Sequence, residues 1–199
     1  MREVEVKSVV DDERLVRGRV EEAGARLVFA GKLEDRRYDC PRRALTKRDE
    51  VLRLRAYRGA PGSTLRAELD WKGATEYEDG YKVREELSTG ASDPDALALI
   101  LSRIGFVVTR EIDREIVQFV LDGATLRFEH YPRMDTLLEI EGSPEAIERA
   151  IAATGLPRDG FTADRLPAFV TRYEARTGER AALCARELEG DFRYCLADA

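Results

Sequence analysis

Residues 2–10 read REVEVKSVV; Val4 and Val6 fall on one side of an extended chain, and Glu3, Glu5 and Lys7 on the other. Successive strand side chains face opposite ways, so this alternation predicts a strand with one apolar and one charged face. Two carboxylates two residues apart point the same way and suit a hard divalent cation, magnesium or manganese, which takes oxygen ligands. The same row on a solvated face would serve only solubility. What the other strands carry decides between the two.

Working outward, VLRLRAY (51–57) sets Leu52 and Leu54 against Arg53 and Arg55. LRAELDWKG (65–73) sets Leu65, Ala67, Leu69 and Trp71 against Arg66, Glu68, Asp70 and Lys72. Further on, Lys82, Arg84 and Glu86 oppose Val83 and Leu87, while Arg110 and Arg114 share a parity. Arg127 and Glu129 oppose Leu126 and Phe128, and Glu139 and Glu141 oppose Leu138 and Ile140. A simple sandwich would bury apolar faces against each other. Charged faces repeated on this many strands instead predict an antiparallel, closed or nearly closed eight-stranded β-barrel with a charged lumen, its apolar exterior covered by helices.

The helices have recognisable starts. One runs from Asp11 to about Ala23, before Gly24; Asp93-Pro94 and Ser143-Pro144 open two more with an N-cap residue followed by proline. A fourth is expected over about 164–177, and ERAALCARELEG (179–190) adds a short fifth. GAPGST (59–64) and TEYEDGY (75–81) join strands, and Asp122-Gly123 is a hairpin turn. The class is α+β: one domain over 1–177, with 178–199 as a C-terminal extension.

Composition narrows the function. The chain has 199 residues, 43% hydrophobic and 36% charged, enough for one domain with a real core. No stretch approaches the run of about 18 apolar residues that a membrane helix needs, and no apolar segment of signal-peptide type follows the charged start. Cys40, Cys184 and Cys195 form neither a CxxC pair nor an even framework, so disulfides and zinc are not expected, and a cytoplasmic location is. With 33 basic and 39 acidic residues and a net charge of −6, polymeric nucleic acid is not the expected partner. A local polyanion site is compatible with that balance. Guanidinium forks match phosphate oxygens in pairs, whereas charges buried only for stability gain little once desolvated. A phosphate-bearing ligand is the better account of the repeated cations.

The ordered series EVEVK (3–7), EDRRYDCP (34–41), VLRLR (51–55), LDWKG (69–73), KVREELS (82–88), RIGF (103–106) and LLEIEG (137–142) resembles the CYTH superfamily of triphosphate tunnel enzymes. That superfamily includes class IV adenylate cyclases, thiamine triphosphatases and inorganic triphosphatases. The resemblance implies metal binding, of Mg²⁺ or Mn²⁺, by Glu3, Glu5, Glu139 and Glu141. It implies a triphosphate path along Lys7, Arg53, Arg55, Lys72, Arg84, Arg110 and Arg114, with Lys7, Arg53 and Glu129 as the catalytic residues. Glu86 falls on an inward position too. FEHYPRMD (128–135) departs from the family's Leu-Asp-x-Val-x-x-Leu-Gly, so Glu129 stands where an aspartate is usual.

Three functions follow as expectations. The first is metal-dependent hydrolysis of inorganic, nucleoside or thiamine triphosphate; the second is cyclisation of ATP to cyclic AMP and pyrophosphate; the third is a non-catalytic polyphosphate- or nucleotide-binding module. A homodimer through an exposed apolar outer strand or the extra C-terminal residues is compatible with all three. His130, the only histidine, lies on the opposite parity from Glu129 and is expected to be structural. Trp71 reads as core, Tyr77 as a stacking group or none, and Tyr38 as the likelier contact at the edge of the site. Cys40 has no basic partner to activate it.

Overall fold

The computed structural model describes residues 2–59 and 64–199. The barrel is closed. Its eight strands are β1 (Arg2–Val9), β2 (Arg26–Asp39), β3 (Val51–Arg58), β4 (Thr64–Lys72), β6 (Tyr81–Gly90), β7 (Val107–Leu121), β8 (Ala124–His130) and β9 (Leu137–Glu141). Neighbours follow the order β1-β9-β8-β7-β2-β3-β4-β6, and β1 pairs again with β6 to complete the ring. The pairings are antiparallel throughout. A ninth strand, β5 (Glu76–Glu78), lies outside the ring on the first half of β6.

Register places the alternating residues in one lumen. Glu3 sits opposite Arg84 and Glu5 opposite Lys82 across β1 and β6; Lys7 sits opposite Glu139, and Arg127 opposite Glu139, across β9 and its neighbours. Because side chains alternate with period two, these pairs share a face by necessity. The outward parity is apolar: Val6, Phe119, Leu126, Phe128, Leu138 and Ile140 pack under α1 (Glu13–Glu22) and α3 (Pro144–Thr154) through Val16, Val20, Ile147 and Ile151. α2 (Pro94–Arg103) lays Leu101 on Tyr38 and Leu54, and α4 (Leu166–Thr177) buries Phe169 and Val170 beside Leu137. Each fully buried aliphatic or phenyl group contributes about 1.5–3 kcal/mol, so the helical coat carries much of the stability that a charged lumen does not supply.

The predicted helix starts are present. Asp12, Asp93 and Ser143 accept from the backbone N–H of Leu15, Ala96 and Ala146, and Pro94 and Pro144 occupy the first turns of α2 and α3. The tail helix is a single turn, α5 (Ala185–Leu188). Asp122-Gly123 turns the β7–β8 hairpin with φ of 46° and 85°, the left-handed pair that a two-residue turn requires.

Three features extend the sequence reading. β2, fourteen residues long, is the partner that closes β3 onto β7. The connector 75–81 is itself a small hairpin, with Asp79-Gly80 as its left-handed turn. The lumen is not charged throughout: Leu33, Tyr57 and Ile116, on the inward parity, pack with Phe29 and fill one end with apolar side chains. Residues 60–63 of the GAPGST loop lie outside the described residues.

Candidate functional site

Beyond that apolar end the lumen holds a cavity of about 200 Å³. Of the expected residues, Glu3, Glu5, Lys7, Arg53, Lys72, Arg84, Arg114, Glu129 and Glu139 line it together. Strand register alone explains their convergence, since seven of the eight strands deliver them from inward positions at neighbouring levels.

The carboxylates divide into two groups. Oxygens of Glu3, Glu86 and Glu141 all lie within 4.8 Å of one another, a set that β1, β6 and β9 bring together. Glu5 and Glu139 are outside that set and are paired with cations: Lys7 Nζ lies 2.7 Å from an oxygen of each, Lys82 also pairs with Glu5, and Arg127 Nη1 is 2.6 Å from Glu139. Burial opposes the ionisation of Glu139, but Lys7 and then Arg127 overcome both it and the nearby Glu5 charge, holding this carboxyl at about 2. Glu5 is likewise held well below its ordinary value, with Lys7 and Lys82 outweighing burial. Glu141 goes the other way. Burial, then the charge of Glu3, pushes its carboxyl up to about 7. Three hard oxygen donors crowded at one point, one of them reluctant to ionise without a counter-charge, fit a divalent cation. Glu3, Glu86 and Glu141 could hold such an ion, although Glu3 and Glu86 also meet Lys72, and Glu86 meets Arg53.

The cations are held in place by carboxylates and backbone carbonyls. Arg53 donates from Nε to Asp70 Oδ2 at 3.0 Å and from Nη2 to Glu86 at 3.3 Å; Lys72 pairs with Glu3 and lies 3.6 Å from Glu86. Arg84 donates to the carbonyls of Gly73 and Asp49, both at 2.6 Å. Arg114 donates from Nε to Glu129 Oε1 at 2.8 Å, and Tyr131 donates to the other oxygen, Oε2, at 2.7 Å. Glu129, 1% exposed, is thus the anchor of Arg114. Guanidinium groups gripped at one nitrogen keep their planes fixed, which suits them to receive phosphate oxygens.

Two expected phosphate ligands lie elsewhere. Arg55 is behind the cavity wall, bonded to Asp70 at 2.6 Å and Glu68 at 3.3 Å. Arg110 is gripped at both terminal nitrogens by Glu187 of α5, at 2.7 and 3.1 Å. Sequence reasoning left out Asp35, Arg37, Lys82, Arg127, Tyr131 and Arg165 as site residues. Lys82 and Arg127 already stood on the charged parity. Arg37, lining the cavity from β2, is lowered to about 10 by burial and, against the pull of Asp35, by Arg53 and Arg114. It donates to the Asp198 carbonyl at 3.0 Å, and Arg43 pairs with the Asp198 carboxylate, so the tail covers part of the cavity. Arg165 spans to Asp49 at 2.6 Å on the same rim.

Other singled-out residues lie on the outside or at the edge. His130 pairs with Glu13 of α1, and Tyr77 is exposed on β5. Trp71 is half-buried on the outward parity, while Tyr38 packs under α2 and reaches the cavity rim. All three cysteines are free thiols. No helix among the described residues is long and apolar enough to cross a membrane.

A family model of the CYTH domain matches residues 1–148. Among solved structures, a candidate adenylate cyclase from Vibrio parahaemolyticus is 18% identical with a TM-score of 0.70, over 85% of this chain and 97% of that one. The PH1819 protein of Pyrococcus horikoshii is 23% identical with a TM-score of 0.67, over 89% and 99%. A Hippeastrum protein assigned as an adenylyl cyclase, and described as having a dominant triphosphatase activity, is 15% identical with a TM-score of 0.61, over 91% and 98%. At these identities the likeness is one of fold. Curated protein sequences give no match.

Proposed function

The chain belongs to the CYTH-domain family, and on that premise we propose that it hydrolyses a triphosphate chain in its lumen with the help of a divalent cation. The observation that carries this reading is that a cation wall (Lys7, Arg53, Lys72, Arg84 and Arg114) and Glu3 line one cavity, with oxygens of Glu86 and Glu141 within 4.8 Å of the Glu3 carboxylate. Such a wall neutralises charge on non-bridging phosphate oxygens as it redistributes toward the leaving group. Magnesium or manganese held by Glu3, Glu86 and Glu141 would supply further charge stabilisation at the phosphates.

The roles divide by position. Lys7, between Glu5 and Glu139, is kept protonated: burial opposes its charge, but Glu139 and Glu5 raise its pKa strongly. Arg53 and Arg114, fixed at Nε by Asp70 and Glu129, present their remaining donors to the phosphates. Water attacks the terminal phosphorus as the bridging P–O bond breaks, so orthophosphate and the shortened chain leave with one proton released. No protein nucleophile is needed.

Hydrolysis is favoured over cyclisation by the size and chemistry of the cavity. Its volume, about 200 Å³, is below the roughly 300–1,000 Å³ of sites that engulf a drug-sized ligand. Its aromatic lining residues among those described are Tyr38 and Tyr131, and the hydroxyl of Tyr131 is committed to Glu129. A phosphate chain suits this space better than a whole nucleotide held for attack by its own ribose. The test is product analysis after incubation with inorganic triphosphate, ATP or thiamine triphosphate, with Mg²⁺, Mn²⁺ or EDTA. Metal-dependent orthophosphate release supports the proposal. Cyclic AMP with pyrophosphate from ATP would replace it with the cyclase, and binding without turnover would make the chain a binding module.

A further inference from the structure

Asp35 is the anomaly of the lumen. Its side chain, on β2, is fully buried at 0% exposure, yet neither carboxylate oxygen has a hydrogen-bond partner among the described residues. Arg53 Nη1 and Arg114 Nη1 both lie 3.8 Å from the same oxygen, Oδ2. That separation is too long for a direct hydrogen bond and short enough for strong attraction in a buried site. Both arginines are tied at Nε to other carboxylates, Asp70 and Glu129, so Asp35 is not what orients their planes. Its charge is nonetheless retained: burial pushes this carboxyl up, and Arg53, Arg37 and Arg114 more than offset it. A buried ion without a hydrogen bond is a costly arrangement for stability alone.

We infer that Asp35 is an electrostatic positioning residue, a resident counter-charge that holds Arg37, Arg53 and Arg114 converged in the empty lumen and weakens their grip on phosphate once a chain has bound. This rests on the reading of the lumen as a triphosphate site. Carboxylate and phosphate compete for the same guanidinium groups. Without Asp35, Arg53 would keep Asp70 and Glu86 and Arg114 would keep Glu129, but the three arginines would repel one another more and would hold substrate and product more tightly, with similar strength. Uniform binding of that kind does not accelerate chemistry and slows release. A fixed carboxylate behind the arginines attracts them when the site is empty and repels each bound phosphate equally. Affinity is thereby traded for turnover.

The experiment measures binding of inorganic triphosphate by calorimetry in EDTA, followed by steady-state kinetics with Mg²⁺ or Mn²⁺, for the wild type and Asp35→Asn. The substitution keeps the shape and removes the charge. Binding by the variant is expected to tighten roughly ten-fold or more, the scale of one charge acting a few ångströms away in a partly screened site. KM should fall, kcat should fall with slowed release, and kcat/KM should hold or rise, a split that a merely structural role would not give. Equal or weaker binding by a folded Asp35→Asn protein overturns the inference. If the variant is unfolded in plain buffer, refolding on addition of inorganic triphosphate supports the counter-charge role, and failure to refold overturns it. Failure of the wild type itself to bind triphosphate would instead overturn the functional proposal, so the two are distinguishable.

Discussion

Glu129 occupies a position where family resemblance leads one to expect a shorter acid near the metal, yet both its oxygens are engaged, one by Arg114 and one by Tyr131. Glu→Gln at this position keeps the shape but leaves the Arg114 charge less well compensated. Removing one partner of a buried ion pair costs about 3–5 kcal/mol, and retention of a hydrogen-bonding oxygen puts Glu129→Gln near or below the lower end. Denaturant unfolding is expected to show a loss of about 3 kcal/mol. In activity assays KM for triphosphate should rise, while the metal concentration giving half-maximal rate stays where it was. A shift in that metal requirement would place Glu129 among the metal ligands after all. The residues that sequence reasoning could rank were those with an apolar neighbour on either side, such as Arg53 between Leu52 and Leu54. What it could not rank was which acid each cation meets. Glu86 joins Glu3 and Glu141 while Glu5 turns to Lys7 and Lys82, a choice set by side-chain reach across strands rather than by parity.

At the level of elements, period-two alternation exposed β1, β3, β4, β6, β7, β8 and β9 but not β2, and the reason is physical. Residues 34–37 read EDRR, charged on both parities, because Asp35 and Arg37 face the lumen while Glu34 and Arg36 pair outside with Arg58 and Asp113. No apolar face marks the strand there. β2 also carries Gly31, where an added Cβ would lie 2.4 Å from the Arg58 carbonyl oxygen. Backbone must move to admit a methyl group, so Gly31→Ala is expected to destabilise the barrel by about 1–3 kcal/mol, read as a lowered denaturation midpoint at unchanged slope. A wild-type midpoint would mean that β3 yields at no cost. The tail helix α5 was legible only as a short helical pattern, since nothing in its own sequence announces that Glu187 grips Arg110, 77 positions away. Glu187 also accepts from the Leu183 N–H at 2.7 Å. Glu187→Ala leaves Arg110 buried without its counter-ion and is expected to cost about 3–5 kcal/mol. If unfolding shows less than about 1 kcal/mol, the C-terminal segment is not integral to the barrel.

For the molecule as a whole, a lumen of buried ion pairs makes stability a function of pH, and the sign follows from which way each group moves. Glu5, Asp35, Asp70 and Glu139 are all lowered, because neighbouring lysines and arginines outweigh burial. A carboxyl lowered on folding contributes stability that is present above its unfolded pKa, near 4, and is lost as pH falls through its folded value, about 2 for Glu139. Glu141, raised to about 7, has the opposite effect. Its contribution is present below the unfolded pKa and is lost as pH rises from about 4.5 toward 7. The two trends meet near pH 5. The metal-free protein is therefore expected to be most stable there, to lose some stability toward pH 7.5 and to lose much more between pH 4 and pH 2, where several carboxylates protonate together. Urea unfolding in EDTA across that range checks this. Stability that climbed steadily from pH 5 to pH 8 would show that Glu141 is not held protonated by Glu3 and burial, and a flat profile below pH 4 would show that the lumen ion pairs contribute nothing to the fold.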